Sequence, residues 1–431
     1  MKKFFLLIPA VLLGLTLSAQ ADLKALIDQR AAAIESKVIQ WRRHFHENPE
    51  LSNREFKTAE IVEKHLRSLG LEVRTKIAYT GVVGILKGGK PGPVVALRAD
   101  MDALPVTERV NIPFASKVKA TYLDQEVGVM HACGHDTHMA MLMGAAEVLA
   151  GMREQIPGTI VFIFQPAEEG PPRGEEGGAE LMVKEGVLKN PKVEAAFGIH
   201  IGSYLEVGRI SYKPGGTMAA VNELRITVKG KGSHGSAPWS GIDPIVTAAQ
   251  IITNLQHIVS REMELTKEAA VVTIGMIRGG TRSNIIPESV ELIGTIRTLD
   301  TAMQRQVHAA IRRIVTNVAE AHRAEATVDI AKGYPVTYNN PELTEKMVPT
   351  LKAVAGADKV HLVKATTGAE DFSFFAQEVP GLFVFLGGMP KGQDGAKAAP
   401  HHTPDFYIDE SGLTLGVRTY ARLALDYMLS K

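Results

Sequence analysis

The chain of 431 residues contains a single cysteine, Cys133, which excludes an internal disulfide. It also lacks an excess of charge, because 48 lysines and arginines balance 47 aspartates and glutamates. A formal net charge of +1, with no basic run interleaved with aromatic residues, argues against nucleic acid as a partner. No Gly-x-Ser-x-Gly sequence follows a strand-like run, so the nucleophile elbow of serine hydrolases is excluded. Internal repeats and low-complexity segments are also missing.

The length predicts two domains, because one compact core rarely holds so many residues. The N-terminus has the pattern of a signal peptide over residues 1–21, with Lys2 and Lys3, an apolar stretch over 4–17, and Ala19-Gln20-Ala21 as the cleavage site. That apolar stretch is short for a bilayer span, which needs ~20 residues. We therefore expect a periplasmic or secreted protein that begins at Asp22; an uncleaved anchor is the alternative.

The segment His131-Ala-Cys-Gly-His-Asp-Thr-His138 combines three histidines with the lone cysteine. Thiolate and imidazole are ligands that zinc and similar divalent ions favour. In an oxidising compartment a free thiol needs burial or a metal to protect it. A small buried cysteine beside a solvated histidine loop is the alternative. The pattern favours metal ligation by Cys133.

Three other segments supply further ligand types. The apolar run that starts at Val161 ends in Glu168 and Glu169, and open sheets place their chemistry at such strand ends. Adjacent residues there point in different directions, so one carboxylate can bind metal while the other acts as a base. A second apolar run ends at His200, and a C-terminal loop carries His401 and His402. Together these four segments predict a centre with two metal ions.

Alternating strand and helix patterns predict an α/β catalytic domain with a mixed central sheet flanked by helices, in two parts over 22–215 and 333–431. Between them, residues 216–332 read as strand, helix, two strands, helix, strand, the ferredoxin-like order. We therefore predict an inserted α+β domain, with Pro214-Gly215-Gly216 and Gly333-Tyr-Pro335 as its connections.

These motifs resemble those of the dinuclear metallo-amidohydrolases related to aminoacylase and bacterial glutamate carboxypeptidase, in the branch of hippurate hydrolase and the plant auxin-conjugate hydrolases. The resemblance covers essentially the whole mature chain. It rests on Arg42–Leu51, Arg98–Pro105, Met130–His138, Gln165–Gly170, Gly198–His200, Ser233–Pro238, Arg282–Pro287, Gly368–Ser373 and His402–Pro404.

The resemblance implies two divalent metal ions per subunit, zinc or manganese, with cobalt or nickel also possible. The implied ligands are Cys133, His135, Glu169, His200 and His402. Glu168 matches the catalytic carboxylate and Asp102 the aspartate that orients the site. In the inserted domain, His234 matches a catalytic position, and Asn284 and Arg297 match substrate-binding positions.

Two departures from the wider superfamily are visible. Many relatives have His-x-Asp where this chain has Asp100-Met-Asp102, and a bridging aspartate where it has Cys133. Both are usual in the hippurate hydrolase branch, but they make the metal identity less definite. His138 and His401 have no match among the ligands, and the role of Asp100 stays open.

The predicted activity is hydrolysis of N-acyl-L-amino acids by metal-activated water, with Glu168 as general base. A dipeptidase or carboxypeptidase using the same site is one alternative, and a metal-binding protein without catalysis is another. Relatives imply a homodimer formed through the inserted domain, with its histidine serving the partner's active site. Closure of that domain is expected to bring Asn284 and Arg297 to the substrate carboxylate.

Overall fold

The computed structural model describes residues 22–431, so the predicted signal peptide lies outside the described residues. Its helices are α1 (22–33), α2 (Glu35–Glu47), α3 (Phe56–Ser68), α4 (His135–Ala150), α5 (Gly178–Lys184), α6 (Pro244–His257), α7 (Thr301–Ala321), α8 (Pro341–Ala355), α9 (Phe372–Glu378) and α10 (Leu413–Leu429). Across 22–431, none of the helices is long and apolar enough to span a bilayer.

The strands follow the same chain order. They are β1 (Glu72–Ile77), β2 (Gly81–Lys87), β3 (Lys90–Asp100), β4 (Lys119–Tyr122), β5 (Gln125–Gly128), β6 (Pro157–Gln165), β7 (Ala195–Glu206), β8 (Ile210–Tyr212), β9 (Gly215–Met218), β10 (Ala220–Lys229), β11 (Ser233–His234), β12 (Ala270–Gly279), β13 (Ile285–Ile286), β14 (Ser289–Thr298), β15 (Glu325–Ala331), β16 (Thr337–Asn339), β17 (Val360–Leu362) and β18 (Gly381–Met389).

The chain forms two compact units. The first comprises the described residues up to Pro214 with Asn339–Val363 and Phe375–Lys431, and the second comprises Gly215–Tyr338 with Lys364–Phe374. Gly215 and residues 333–338, which the sequence assigned to the catalytic domain, belong to the second unit, and so does 364–374. Backbone bonds explain this, since Thr366 N–H donates to Thr217 and Ala219 N–H donates to the carbonyl of Gly368.

The first unit contains an eight-stranded sheet in the order β1-β2-β6-β3-β7-β18-β8-β17. Its central strands β6, β3, β7 and β18 run parallel. The pairs β1–β2, β2–β6 and β18–β8 are antiparallel, and the edge strand β17 pairs parallel with β8. The mixed sheet flanked by helices is therefore confirmed. Strands buried on both faces read as continuous apolar runs, as the stretch Ile160–Phe164 does.

Helix α4 crosses the core of the first unit and packs against α2 and α10. Its alanines, methionines and Gly144 are almost all buried, because small side chains let the neighbouring helices approach closely. A Cβ on Gly144 would lie 2.8 Å from a methyl carbon of Val417 and 3.0 Å from one of Val38. This packing fixes the position of the helix N-terminus, where His135 begins the first turn.

The second unit contains a four-stranded antiparallel sheet in the order β12-β14-β10-β15, with α6 and α7 contributing to its own apolar core. Its element order is β10, α6, β12, β14, α7, β15, which is the ferredoxin-like arrangement. Both helices begin at an aspartate: Asp243 accepts from Ile245 N–H and Asp300 from Met303 N–H. Such N-caps satisfy backbone donors that the helix itself leaves unpaired.

One stability prediction follows from the cap of α7. Asp300→Ala should destabilise the protein by about 1 kcal/mol, because Met303 N–H loses its acceptor. Asp300→Asn is the control, since its amide oxygen can still cap while the ion pair with Lys267 is lost. Thermal unfolding measures both variants, and equal losses would show that the charge, not the cap, carries the effect.

Candidate metal centre

The predicted ligands of the first unit meet at one edge of its sheet. Strand β3 ends at Asp100 and β6 ends at Gln165, and these strands are parallel neighbours. Their carboxyl ends therefore deliver Asp102 and the Glu168–Glu169 pair to the same place. The N-terminus of α4 brings Cys133 and His135 to that edge.

Strand β7 corrects one detail of the sequence reading. The sequence predicted that this apolar run ends at His200, but the strand continues to Glu206. It continues because β7 keeps pairing with β18, in which Phe385 lies opposite His200 and Gly387 opposite Gly202. His200 is thus held within a strand, and its ring position is correspondingly fixed.

Gly134 determines how the cysteine and the first helical histidine are presented. Its φ of +89° lies in the left-handed region, which glycine adopts without strain. A Cβ at this position would lie 2.2 Å from Cγ2 of Ile201. The chain can therefore turn sharply between Cys133 and His135 only with glycine here.

One cluster of donors surrounds the Cys133 sulfur. Its Sγ lies 3.5 Å from His200 Nε2, 3.3 Å from His402 Nε2 and 3.6 Å from His401 Nδ1. Glu169 Oε1 lies 3.1 Å from the same nitrogen of His402. The structure therefore joins four predicted ligand segments, although they are up to 269 residues apart in the sequence.

A second cluster surrounds His135. Its Nε2 lies 3.8 Å from Asp100 Oδ2, 3.8 Å from Glu168 Oε2 and 3.9 Å from Glu169 Oε1. This nitrogen is buried and has no hydrogen-bond partner, which is costly for a polar atom. Two ligands of one zinc ion, each about 2.1 Å from it, stand about 3.4 Å apart at a tetrahedral angle and further apart at wider angles. The donor types and spacings fit a divalent metal ion.

The rings of His135 and His200 are oriented by backbone carbonyls. His135 Nδ1 lies 2.7 Å from the carbonyl oxygen of Asp102, and His200 Nδ1 lies 2.7 Å from that of Ile201. A carbonyl only accepts, so in both rings Nδ1 carries the hydrogen. Nε2 is then the nitrogen that can bind metal, as in most histidine ligands fixed by an outer partner.

The electrostatics of the cluster call for positive charge. Burial lowers the pKa of His135, but Asp100, Asp102 and Glu169 outweigh burial and raise that pKa to about 10. Burial, with the charges of Glu169 and Glu168, raises the pKa of the Cys133 thiol well above its usual value. Several carboxylates packed this closely are stable only with compensating cations, and a divalent ion supplies that charge.

His200 shows the opposite shift. Burial, together with neighbouring histidines such as His138, moves the pKa of His200 well below its usual value. The ring is therefore neutral at physiological pH. Neutral imidazole is the form that binds metal, so no proton has to leave His200 before it can act as a ligand.

Asp102 contacts three separate segments. Its carboxylate accepts from Glu168 N–H at 3.0 Å and from Glu169 N–H at 3.1 Å, and the Ser52 hydroxyl donates to it at 2.7 Å. Its backbone carbonyl fixes His135, as described above. Asp102 thus holds both the turn that carries the paired glutamates and one of the predicted ligands.

Two residues that sequence reasoning left without a role lie inside the site. His401 Nε2 accepts from Ser203 N–H at 3.2 Å, which turns its Nδ1 toward Cys133. Asp100 bonds His138 at 2.6 Å and pairs with Arg98 at 2.7 Å. The adjacent His401-His402 pair was the only sequence signal for the first of these, and it could not say which ring faces the sulfur.

The predicted residues of the second unit do not all meet. His234 lies in β11 and pairs with Ile285, and Gly235 N–H donates to the carbonyl of Asn284, so His234 and Asn284 are neighbours. Both are in a ribbon that extends the β10–β14 ladder beyond Lys229 and Ser289, through a bond from Gly230 N–H to Glu288.

Arg297 lies at the other end of that ladder, opposite Val221 at the start of β10. Arg297 is eight positions along the strand from Ser289, a distance of roughly 25 Å. Within this unit, Asn284 and Arg297 therefore lie at opposite ends of the ladder. The reason is the extended register of β14, which keeps its two ends apart.

Comparison with known proteins identifies the family of this chain. The sequence profile of peptidase family M20/M25/M40 matches residues 96–426. Thermostable carboxypeptidase 2 of Saccharolobus solfataricus is 41% identical over 408 residues, covering 94% of this chain and 99% of the relative. IAA-amino acid hydrolase ILR1-like 2 of Arabidopsis thaliana is 36% identical over 418 residues, covering 96% and 90%.

A solved structure shows the same similarity. The crystal structure of Bacillus subtilis YXEP protein, described as a dinuclear metal binding peptidase from the M20 family, superposes with a TM-score of 0.77. It is 35% identical, and the match covers 93% of this chain and 100% of that protein. Sequence and fold therefore point to the same family.

The position of Cys133 yields a prediction about metal removal. Metal-loaded protein should resist thiol alkylation, whereas chelated protein should be labelled, because a bound thiolate is shielded by its ion. The labelling reaction is carried out at alkaline pH, because burial and Glu169 raise the pKa of the thiol and the thiolate is the reactive form. Mass spectrometry measures the labelled fraction. Equal labelling of both forms would show that Cys133 is not a metal ligand.

Proposed function

The chain belongs to peptidase family M20/M25/M40, and on that premise we propose that it hydrolyses the amide bond of N-acyl-L-amino acids with metal-activated water. One observation carries the proposal. The turn after β6 directs Glu168 to within 3.8 Å of His135 Nε2, while the adjacent Glu169 contacts His402. A single turn thus offers a metal ligand and a second carboxylate to act as base. A protein that only binds metal has no use for that second carboxylate.

We propose that two divalent ions, zinc or manganese before cobalt or nickel, are held by Cys133, His135, Glu169, His200 and His402. Such ions, when bound, lower the pKa of water from 15.7 to about 7 and polarise a carbonyl. The donor set supports this choice, because it combines thiolate, imidazole and carboxylate. The dinuclear metal binding description of the Bacillus subtilis relative is consistent with two ions.

Glu168 moves the protons of the reaction. Its carboxylate accepts a proton from the attacking water as the oxygen–carbon bond forms. It then donates that proton to the amine nitrogen as the carbon–nitrogen bond breaks, releasing a carboxylic acid and an amino acid. The bond from Glu168 N–H to Asp102 keeps the backbone under this side chain fixed while the proton moves.

The amino-acid side of the substrate has a free carboxylate that a guanidinium can recognise. We assign this contact to Arg297, whose planar fork can bind a carboxylate with two parallel hydrogen bonds. Its Nη1 already bonds the carbonyl of Ile296 and the hydroxyl of Thr295, which limits the directions the fork can take. His234 is proposed to donate to the oxyanion of the tetrahedral intermediate.

We propose further that the protein is a homodimer in which His234 and Asn284 serve the partner's active site. The separation of roughly 25 Å along β14 supports this, because a small substrate cannot touch Arg297 and His234 of the same unit. If Arg297 comes from one copy and His234 from the other, both can contact the same substrate. In this arrangement the ribbon of β11 and β13, which extends beyond the sheet, would carry His234 and Asn284 to the partner's site.

An exposed apolar area on the second unit supports pairing of two chains. Strand β12 is an edge of its sheet, and it exposes Met276 and Ile277. Ile245 and Val246 at the start of α6 are also exposed, and Ile245 lies 3.5 Å from where a Cβ on Gly280 would be. Unpaired apolar edges of this kind are usually covered by another chain.

The relatives support two substrate classes. One is named for amino-acid conjugates and another for carboxypeptidase activity, and both kinds of substrate keep a free carboxylate beside the scissile bond. A metallo-dipeptidase or carboxypeptidase is therefore the second candidate. A panel of N-acetyl and N-benzoyl amino acids beside dipeptides separates them, because higher kcat/KM for the dipeptides would favour the second candidate. Export after cleavage at Ala21 is part of the proposal and rests on the pattern of residues 1–21.

Mutation should distinguish the roles of Glu168 and Glu169. Glu168→Gln should retain metal but lose about 10²–10⁴-fold in kcat, because an amide cannot take the proton of the attacking water. Glu169→Gln should instead weaken metal binding. Glu176→Gln is the matched control, since the side chain of Glu176 is exposed and accepts from Lys184. Near-native turnover by Glu168→Gln, measured at saturating metal, is the result that contradicts the assigned role.

The trans arrangement predicts complementation between two inactive variants. When Glu168→Gln and His234→Ala subunits are mixed and exchanged, about a quarter of the native activity should return, because half the dimers are mixed and each contains one complete site. A mixture of Glu168→Gln with Glu169→Gln is the control and should stay inactive, since both residues belong to one chain's site. Absence of recovery in dimers shown to be mixed would place His234 in its own subunit's site.

A further inference from the structure

We propose that Glu55 is a positioning residue for the Glu168–Glu169 pair. Its side chain is fully buried in the first unit, and its Oε1 accepts from Ala167 N–H at 2.9 Å. Ala167 immediately precedes the two glutamates. This proposal rests on the catalytic role given above to Glu168 and the ligand role given to Glu169.

The bond acts at a strained point of the backbone. Ala167 has a φ of +52°, in the left-handed region that residues with a Cβ rarely adopt. Such a conformation persists only where its surroundings enforce it, and it is common in functional sites. Glu55 supplies one such constraint, and it is applied to the residue whose conformation sets the direction of Glu168 and Glu169.

Three consecutive backbone donors of the turn are thereby taken up by buried carboxylates. Ala167 N–H bonds Glu55, while Glu168 N–H and Glu169 N–H both bond Asp102. Asp102 contacts the end of the turn that carries Glu168 and Glu169, and its carbonyl contacts the ring of His135. Glu55 holds the opposite, strand-proximal end, so the two carboxylates fix both ends of the short segment.

Glu55 also joins this turn to two other unusual backbone segments. The same Oε1 accepts from Asn53 N–H at 3.0 Å, and Oε2 accepts from the Thr80 hydroxyl at 2.5 Å. Asn53 has a φ of +58°, and Tyr79, just before Thr80, has a φ of +77°. One buried carboxylate thus connects three left-handed positions of the first unit.

A simpler role as the cap of α3 does not account for these contacts. Glu55 occupies the N-cap position, but its side chain makes no capping bond. The N–H groups of Lys57 and Thr58 bond the carboxylate of Glu50 instead. Glu50 therefore does the capping, and the carboxylate of Glu55 is left for Ala167, Asn53 and Thr80.

The test compares variants that keep or remove the acceptor. Glu55→Gln retains an oxygen that can accept from Ala167 N–H, and its amide can donate to Thr80, so zinc affinity and kcat should stay within about threefold of native. Glu55→Leu removes the acceptor and should lose about 10–100-fold in zinc affinity, the usual cost of losing a group that orients a ligand. Its kcat at saturating zinc should fall by about tenfold or more, with KM little changed, because the base is misplaced after substrate has bound.

Zinc affinity is measured by competition with a chromophoric chelator, and kcat and KM on the N-acyl amino acid that native protein cleaves fastest. The chelator series needs no substrate, so it tests Glu55 even if the protein hydrolyses none of the panel. Glu50→Leu is the matched structural control. It removes the cap of α3 and should lower the melting temperature while leaving zinc affinity unchanged.

Ala167→Gly provides a rescue experiment. Glycine adopts a positive φ without strain, so adding Ala167→Gly to Glu55→Leu should restore part of the lost zinc affinity. If Glu55→Leu is recovered only as unfolded protein, Glu55→Asp replaces it, because the shorter side chain withdraws its oxygens from Ala167 N–H. Native zinc affinity and kcat in the folded variant overturn the proposal, as do equal losses in Glu55→Gln and Glu55→Leu.

Discussion

The centre depends on the hydrogen bonds of Asp102, which connect segments that are distant in the sequence. The carboxylate accepts from the backbone of Glu168 and Glu169, and the carbonyl of the same residue orients His135. Strand β3, the turn after β6 and the start of α4 are therefore fixed relative to one another by one residue. Those bonds, together with the one from Ala167 N–H to Glu55, set the direction of the turn that carries the two adjacent carboxylates.

The second constraint is electrostatic. Asp100, Asp102, Glu168 and Glu169 approach a single buried histidine, and isolated buried carboxylates are strongly disfavoured. The raised pKa of His135 shows that the cluster demands positive charge nearby. A divalent ion meets that demand better than a proton can, because it also accepts lone pairs from several donors at once. Binding affinity and the folded geometry of the edge are consequently linked.

The third constraint is the length of the strand ladder in the second unit. Its continuous β10–β14 ladder places the ribbon of His234 and Asn284 at one end and Arg297 at the other. Within one chain, that distance is a structural obstacle to a shared substrate. In the homodimer that we propose, the two ends of the ladder would complete each site from both subunits, and catalysis would then depend on assembly. The exposed apolar edge at β12 has the same implication, since it offers a surface for a second copy.

Much of this was determined by the sequence alone. Apolar runs predicted the strands β3, β6 and β18, and the spacing within His131–His138 singled out Cys133 because ligand chemistry is local, whereas His135 was identified as a ligand through the family resemblance. What only the tertiary structure decided involves contacts between distant segments: which ring of His401 and His402 faces the sulfur, the contact of Glu55 with Ala167, and the separation of Asn284 from Arg297. A single sequence records residue type and local period, but side-chain direction and register depend on packing and hydrogen bonds that form only when the strands pair.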